Sequence, residues 1–133
     1  MENIIQVRVR YKETDQAGRV YHANYFVWLD MGRTEFLRAL GFPYNEMENK
    51  GFYLAVTEAS CNYIKSPNFD DIVNIKTILG KVGKASIDFT YEITSRDNNV
   101  FYATAYTKLA CLDENGKPIK LHEEVLSKLV LDG

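Results

Sequence analysis

Residues 11–30 read YKETDQAGRVYHANYFVWLD, Tyr11 to Asp30, and bring together a carboxylate, a turn glycine, a histidine and the start of the best helix candidate. Phe26, Leu29, Gly32, Phe36 and Leu40 recur at steps of three and four. Ala23, Tyr25, Trp28 and Ala39 widen that apolar face, which predicts a long amphipathic helix. Gly41 and Pro43 then stop it. Upstream, Gly18 permits a sharp turn, and Val20, Tyr21 and His22 lead into the first helical turn, so Asp15 is delivered close to a helix N-terminus.

A helix start presents backbone N–H groups without intrahelical acceptors, together with the positive end of the macrodipole, and so can polarise a carbonyl or hold an oxyanion. A nearby carboxylate can act as nucleophile or general base. These are the parts that acyl transfer needs. The same residues also suit plainer roles: Thr14 or Asp15 organising a turn, His22 half-buried with its bonds satisfied, and the aromatics serving as core.

The pattern Tyr11-x-Glu13-Thr14-Asp15-x-Ala17-Gly18-x-Val20-Tyr21-His22-x-Asn24-Tyr25 closely resembles the signature of the hotdog-fold thioesterases, the group of 4-hydroxybenzoyl-CoA and Tol-Pal-associated acyl-CoA thioesterases. The resemblance continues through Trp28-Leu29-Asp30 and Arg33-Thr34-Glu35, then at lower density through Asp70-Asp71 and the later strands. It implies that Asp15 is the catalytic carboxylate and that the amide at His22 polarises the thioester carbonyl. Gly18, Val20, Tyr21, Ala23 and Asn24 become candidate substrate contacts. A side-chain role for His22 stays open, as do the nucleophile and general-base roles of Asp15. Family members carry either glutamate or aspartate at the position of Asp30, which leaves the acyl preference open. No metal or cofactor is implied.

Rival readings are a hotdog-fold hydratase or dehydratase and a non-catalytic acyl-binding protein. The residues from Asp15 to His22 follow the thioesterase pattern, and the carboxylate itself argues against passive binding. Asp30 is a candidate for the polar end of the acyl pocket or a helix-face ion pair. Glu58 is a candidate pocket-lining carboxylate, a charge at a strand end, or a charge paired with Arg33 or Arg38. Lys65, Lys81 and Lys84 occupy loop positions from which CoA phosphates could be met, or they are ordinary solvated lysines.

With 133 residues, the chain fits a single hotdog domain over residues 1–133. A hydrophobic share of 46% and a charged share of 26% describe an ordinary globular composition. The net charge of -2 excludes a global attraction to nucleic acid or to an anionic membrane. There is no secretory leader pattern and no apolar run of membrane-spanning length, so a cytoplasmic protein without membrane insertion is expected. Cys61 and Cys111 sit in apolar, strand-like surroundings and read as reduced core thiols.

Outward from the motif, Ile5, Val7 and Val9 alternate with polar residues as in a strand with one buried face. Residues 43–50 suggest a short helical turn. Phe52 to Lys65 reads as a long strand with Tyr53, Ala55, Thr57, Ala59, Cys61 and Tyr63 on one face. Its other face, Leu54, Val56, Glu58, Ser60, Asn62 and Ile64, has a polar middle that is odd for a core. Val73 to Leu79, ended by Gly80 and Gly83, and Ala85 to Ile93 alternate as further strands. Asp97-Asn98-Asn99 turns the chain into a last strand, Val100 to Leu112. Leu121, Val125 and Leu129, with Leu126 and Val130 alongside, predict a tail helix that includes His122.

One strand, a long helix and then four strands predict an α+β fold with a curved antiparallel sheet wrapped around the helix. That is the hotdog architecture. Unpaired sheet edges and the family resemblance both lead to the expectation of a homodimer or homotetramer whose site lies at the subunit boundary and takes acyl-CoA as substrate.

Overall fold

Period-two alternation builds five strands, three of which supply one apolar wall, in the computed structural model, which describes residues 1–131. β1 (Glu2–Arg8), β2 (Tyr53–Tyr63), β3 (Ile72–Val82), β4 (Ser86–Ser95) and β5 (Phe101–Leu112) lie in the order β1-β3-β4-β5-β2. All neighbours are antiparallel. The wall consists of Val73, Ile75 and Thr77 of β3, Ile87, Phe89, Tyr91 and Ile93 of β4, and Ala103, Thr107, Leu109 and Cys111 of β5, all buried. Against it lies α1 (Asn24–Ala39), with α2 (Tyr44–Asn49) following and α3 (Glu123–Leu131) closing the chain. This is the hotdog fold that the motif implied.

Gly32 sets how closely helix and sheet approach. A methyl group built there would stand 2.6 Å from Thr77 Oγ1 and 3.0 Å from Ile75 Cγ2. Phe36 meets Phe89 edge to face, with ring centroids 5.2 Å apart.

Three expectations need correction. The buried stripe of α1 is Tyr25, Trp28, Leu29, Gly32, Arg33, Phe36 and Leu37, whereas Phe26, Ala23 and Ala39 face outward. Steps of three and four fit both stripes, because Phe26, Val27 and Met31 make a second, exposed apolar strip.

In β2 the register against β5 shifts between Val56 and Glu58, so Thr57 is an extra residue. Leu54 and Val56 face the same way as Cys111 and Leu109, while beyond the bulge Ala59, Cys61 and Tyr63 take over that face opposite Thr107, Ala105 and Ala103. The polar middle seen in the sequence is this exchange of faces.

The tail helix begins later than expected. Leu121 is buried ahead of it, and His122 sits at its start, accepting from the Leu126 N–H through its carbonyl and from the Glu124 N–H through Nδ1. Its ring stacks on Phe52. Val125 and Leu129 are buried as expected, and the Val130 side chain lies outside the described residues. Cys61 and Cys111 are both free thiols, half-buried and buried respectively. No helix among the described residues is long and apolar enough to cross a membrane.

Candidate active site

The segment between β1 and α1 folds as a tight loop held from several directions. Thr14 and Val20 pair across its base. Within it the Asp15 N–H donates to the Arg19 carbonyl at 2.7 Å and the Gly18 N–H to the Asp15 carbonyl at 3.0 Å. Gly18 has φ +79°, a left-handed conformation that suits a residue without Cβ. The two oxygens of Asp15 differ. Oδ1 accepts from the N–H groups of Ala17 at 2.9 Å and Arg19 at 3.2 Å, while among the described residues Oδ2 accepts from none. Turn-making and chemistry are therefore compatible in this one side chain.

Glu13 fastens the loop to the helix. Only 4% exposed, it accepts from the Arg10 N–H at 2.7 Å, from the Arg10 guanidinium at 3.3 Å, from Asn24 Nδ2 at 3.3 Å and from Trp28 Nε1 at 3.2 Å. Burial pushes its carboxyl up, but these donors outweigh it and hold the group below the usual glutamate range. Its own carbonyl accepts from the Tyr21 N–H at 2.8 Å. On the far side, the Val20 N–H donates to Ser66 Oγ at 2.9 Å.

These restraints fix the start of α1. No side chain caps it, and its first N–H groups turn back on the preceding carbonyls: Asn24 to Tyr21 at 2.9 Å, Tyr25 to His22 at 3.4 Å and Phe26 to Ala23 at 3.1 Å. Among the described residues none accepts from the N–H of His22 or of Ala23, which leaves two adjacent donors at the positive end of the helix. The His22 carbonyl also accepts from the Tyr63 hydroxyl at 2.9 Å.

Asp15, Val20 and His22 line one cleft of about 180 Å³ with Arg19, Tyr25, Tyr63, Lys65 and Ser66. Gly18 shapes the turn beside it, while Tyr21 leans its ring on His22 with centroids 4.6 Å apart, and Ala23 is exposed at the helix start. Asn24 is turned toward Glu13 instead. A larger hollow of about 640 Å³ beside Arg8, Asp70 and Arg96 contains no residue of the stretch from Tyr11 to Asp30, so size alone does not mark the site.

Two candidate carboxylates are not brought to this cleft. Asp30 stands roughly 9 Å along the helix from Asn24 at about 1.5 Å per residue, and pairs with Arg33 at 2.7 Å. Arg33 is buried, and also donates to the hydroxyls of Tyr44 and Tyr91. Glu58, put by the Thr57 bulge on the face that Lys108 shares, looks away from the helix. It pairs with neither Arg33 nor Arg38, because Arg38 is taken by Glu35. Of the three lysines, Lys65 reaches the cleft; Lys81 lies near the end of β3 and Lys84 in the turn before β4.

Glu13, Ser66 and Tyr63 were not singled out by sequence reasoning. Glu13 stood inside the motif and could have been noticed as its second carboxylate. Ser66 and Tyr63 act from 46 and 41 residues away, and no spacing rule reveals them. Among the described residues no group of three His, Cys, Asp or Glu side chains is gathered as a metal site.

Comparison with known proteins gives a consistent set of likenesses. A family model described as the thioesterase-like superfamily matches residues 9–129. The chain is 32% identical over 121 residues to the acyl-CoA thioesterase YbgC of Haemophilus influenzae, covering 90% of this chain and 88% of that protein. Among solved structures it is similar to a hypothetical protein from Aquifex aeolicus, with TM-score 0.90 and 35% identity over 96% of this chain and 98% of the other. It is similar also to a DHNA-CoA thioesterase from Staphylococcus aureus, with TM-score 0.89 and 32% identity over 98% of this chain and 93% of the other.

Proposed function

The chain belongs to the thioesterase-like superfamily, matched across residues 9–129, and from that premise we propose that it hydrolyses an acyl-CoA thioester to a free carboxylic acid and CoA. What supports this reading is that Asp15 and His22 line one small cleft, where among the described residues Asp15 Oδ2 accepts from no donor and the N–H groups of His22 and of the adjoining Ala23 have no acceptor.

The thioester carbonyl accepts from these N–H groups, which strengthens as the carbonyl oxygen gains charge. Asp15 then acts in one of two ways. As a general base it takes a proton from water, whose oxygen adds to the carbonyl carbon; the tetrahedral intermediate collapses by breaking the carbon–sulfur bond, and the thiolate leaves and is protonated. As a nucleophile it forms a mixed anhydride with loss of the same thiolate, and water then hydrolyses the anhydride. Arg19 and Lys65 at the cleft suit the negative charge of the departing CoA.

The proposed assembly is a homodimer or homotetramer. Among the described residues β2 pairs with β5 only, which leaves its other side open, and it presents Tyr53, Val56 and Tyr63 partly exposed, while α1 exposes Phe26, Val27 and Met31.

A panel of CoA esters from acetyl to palmitoyl and aromatic acids, followed by thiol release, tests the activity and ranks the acyl groups. Asp15→Asn keeps the turn acceptor and removes the charge. It should lower turnover of the best ester by at least ~100-fold with the fold intact. Near-normal turnover of this variant would remove Asp15 from the mechanism.

A further inference from the structure

We propose that Tyr63 is a positioning residue for hydrolysis, holding and polarising the peptide group whose N–H meets the substrate carbonyl. This rests on the donor reading above and adds to it a residue from another part of the chain.

The His22 carbonyl and the Ala23 N–H belong to one planar peptide. In a trans peptide they point in opposite directions, and there is no cis bond among the described residues. The Tyr63 hydroxyl donates to the carbonyl end at 2.9 Å, so the plane cannot rotate without losing that bond. A hydrogen bond at one end also draws charge through the amide and makes the N–H at the other end a stronger donor. The Tyr25 N–H, at 3.4 Å from the same oxygen, is the longer of the two bonds. The neighbouring peptide repeats the pattern: the Tyr21 carbonyl accepts from Asn24, and its N–H is that of His22.

Tyr63 itself is held in place. Its ring packs edge-on against Tyr25 with centroids 4.9 Å apart, and against His22 at 6.5 Å. It faces the helix because of the Thr57 bulge, which gives the inward face of β2 to Ala59, Cys61 and Tyr63. The hydroxyl therefore reaches the helix start from a different sheet element, independently of the loop that carries Asp15.

Tyr63→Phe removes the hydroxyl and keeps the ring. Strengthening of about 10–30% on a donor whose removal costs ~10²–10³ in kcat corresponds to about a 2- to 8-fold fall in kcat, with KM unchanged. A spectroscopic readout separates positioning from general structure. An S-(2-oxoalkyl)-CoA, which carries a carbonyl but no scissile thioester, should show its isotope-labelled carbonyl stretch at lower frequency when bound to the wild-type protein. Tyr63→Phe should move that band back toward the free position, while Tyr106→Phe, which removes a hydroxyl from the neighbouring strand β5, should change neither band nor kcat. A shifted band identical in wild type and Tyr63→Phe, or a rise in KM at constant kcat, overturns the role of Tyr63 and leaves the donors standing. A wild-type band with no shift overturns the donor reading itself, and this inference with it.

Discussion

Two carboxylates two residues apart have opposite surroundings. Asp15 is exposed with one oxygen unengaged, whereas Glu13 is buried and held as an anion by four donors. Glu13→Gln should therefore destabilise the protein at neutral pH by about 1.5–3 kcal/mol, the scale for hydrogen bonds to a charged group. The sign of the pH dependence follows from the lowered carboxyl of the folded state. Its stabilisation is complete above the unfolded glutamate range and disappears as pH falls through the lower folded value, so denaturation midpoints of variant and wild type should converge in acid. A constant difference at every pH would mean that shape and not charge matters there. At His22 the proposed donor is backbone, so His22→Ala should lose less turnover than Asp15→Asn. Equal damage would give the imidazole the role proposed for the amide. The motif made Asp15 and His22 legible because their neighbours in sequence are also their neighbours in space. Tyr63 and Ser66 meet the loop only after the sheet has formed.

At the scale of elements, α1 was legible in existence and length, but its orientation was not. Its sequence carries apolar residues on two sides, and only packing against the sheet decides that Tyr25 and not Phe26 turns inward. Gly32 is the position where this close approach is most demanding. Its replacement by leucine should destabilise by roughly 1–3 kcal/mol through overpacking against Thr77 and Ile75, although leucine is the better helix former. A raised melting temperature for Gly32→Leu would contradict the observed contact. The Thr57 bulge was foreshadowed by a face that read wrongly for a core, yet a single extra residue leaves no letter of its own in the sequence. Its effect is to put Glu58 on one side of the sheet and Tyr63 on the other.

At the scale of the whole molecule, the sheet of the described residues has two edges, β1 and β2, and the longer of them carries exposed aromatic and aliphatic side chains, while α1 exposes an apolar strip of its own. Light scattering should accordingly give a mass at least twice 15.3 kDa. A fully active species at the mass of one chain would contradict the proposed assembly. The hydrogen bond from Tyr63 to the His22 carbonyl acquires a different meaning at this scale, because Tyr63 is the last residue of the strand proposed to meet a second copy. Anything that steadies this strand steadies the donor peptide too. Turnover per molecule should then decline on dilution below the dissociation constant of the assembly and recover on reconcentration, so that the amount of protein made also governs how well each copy works.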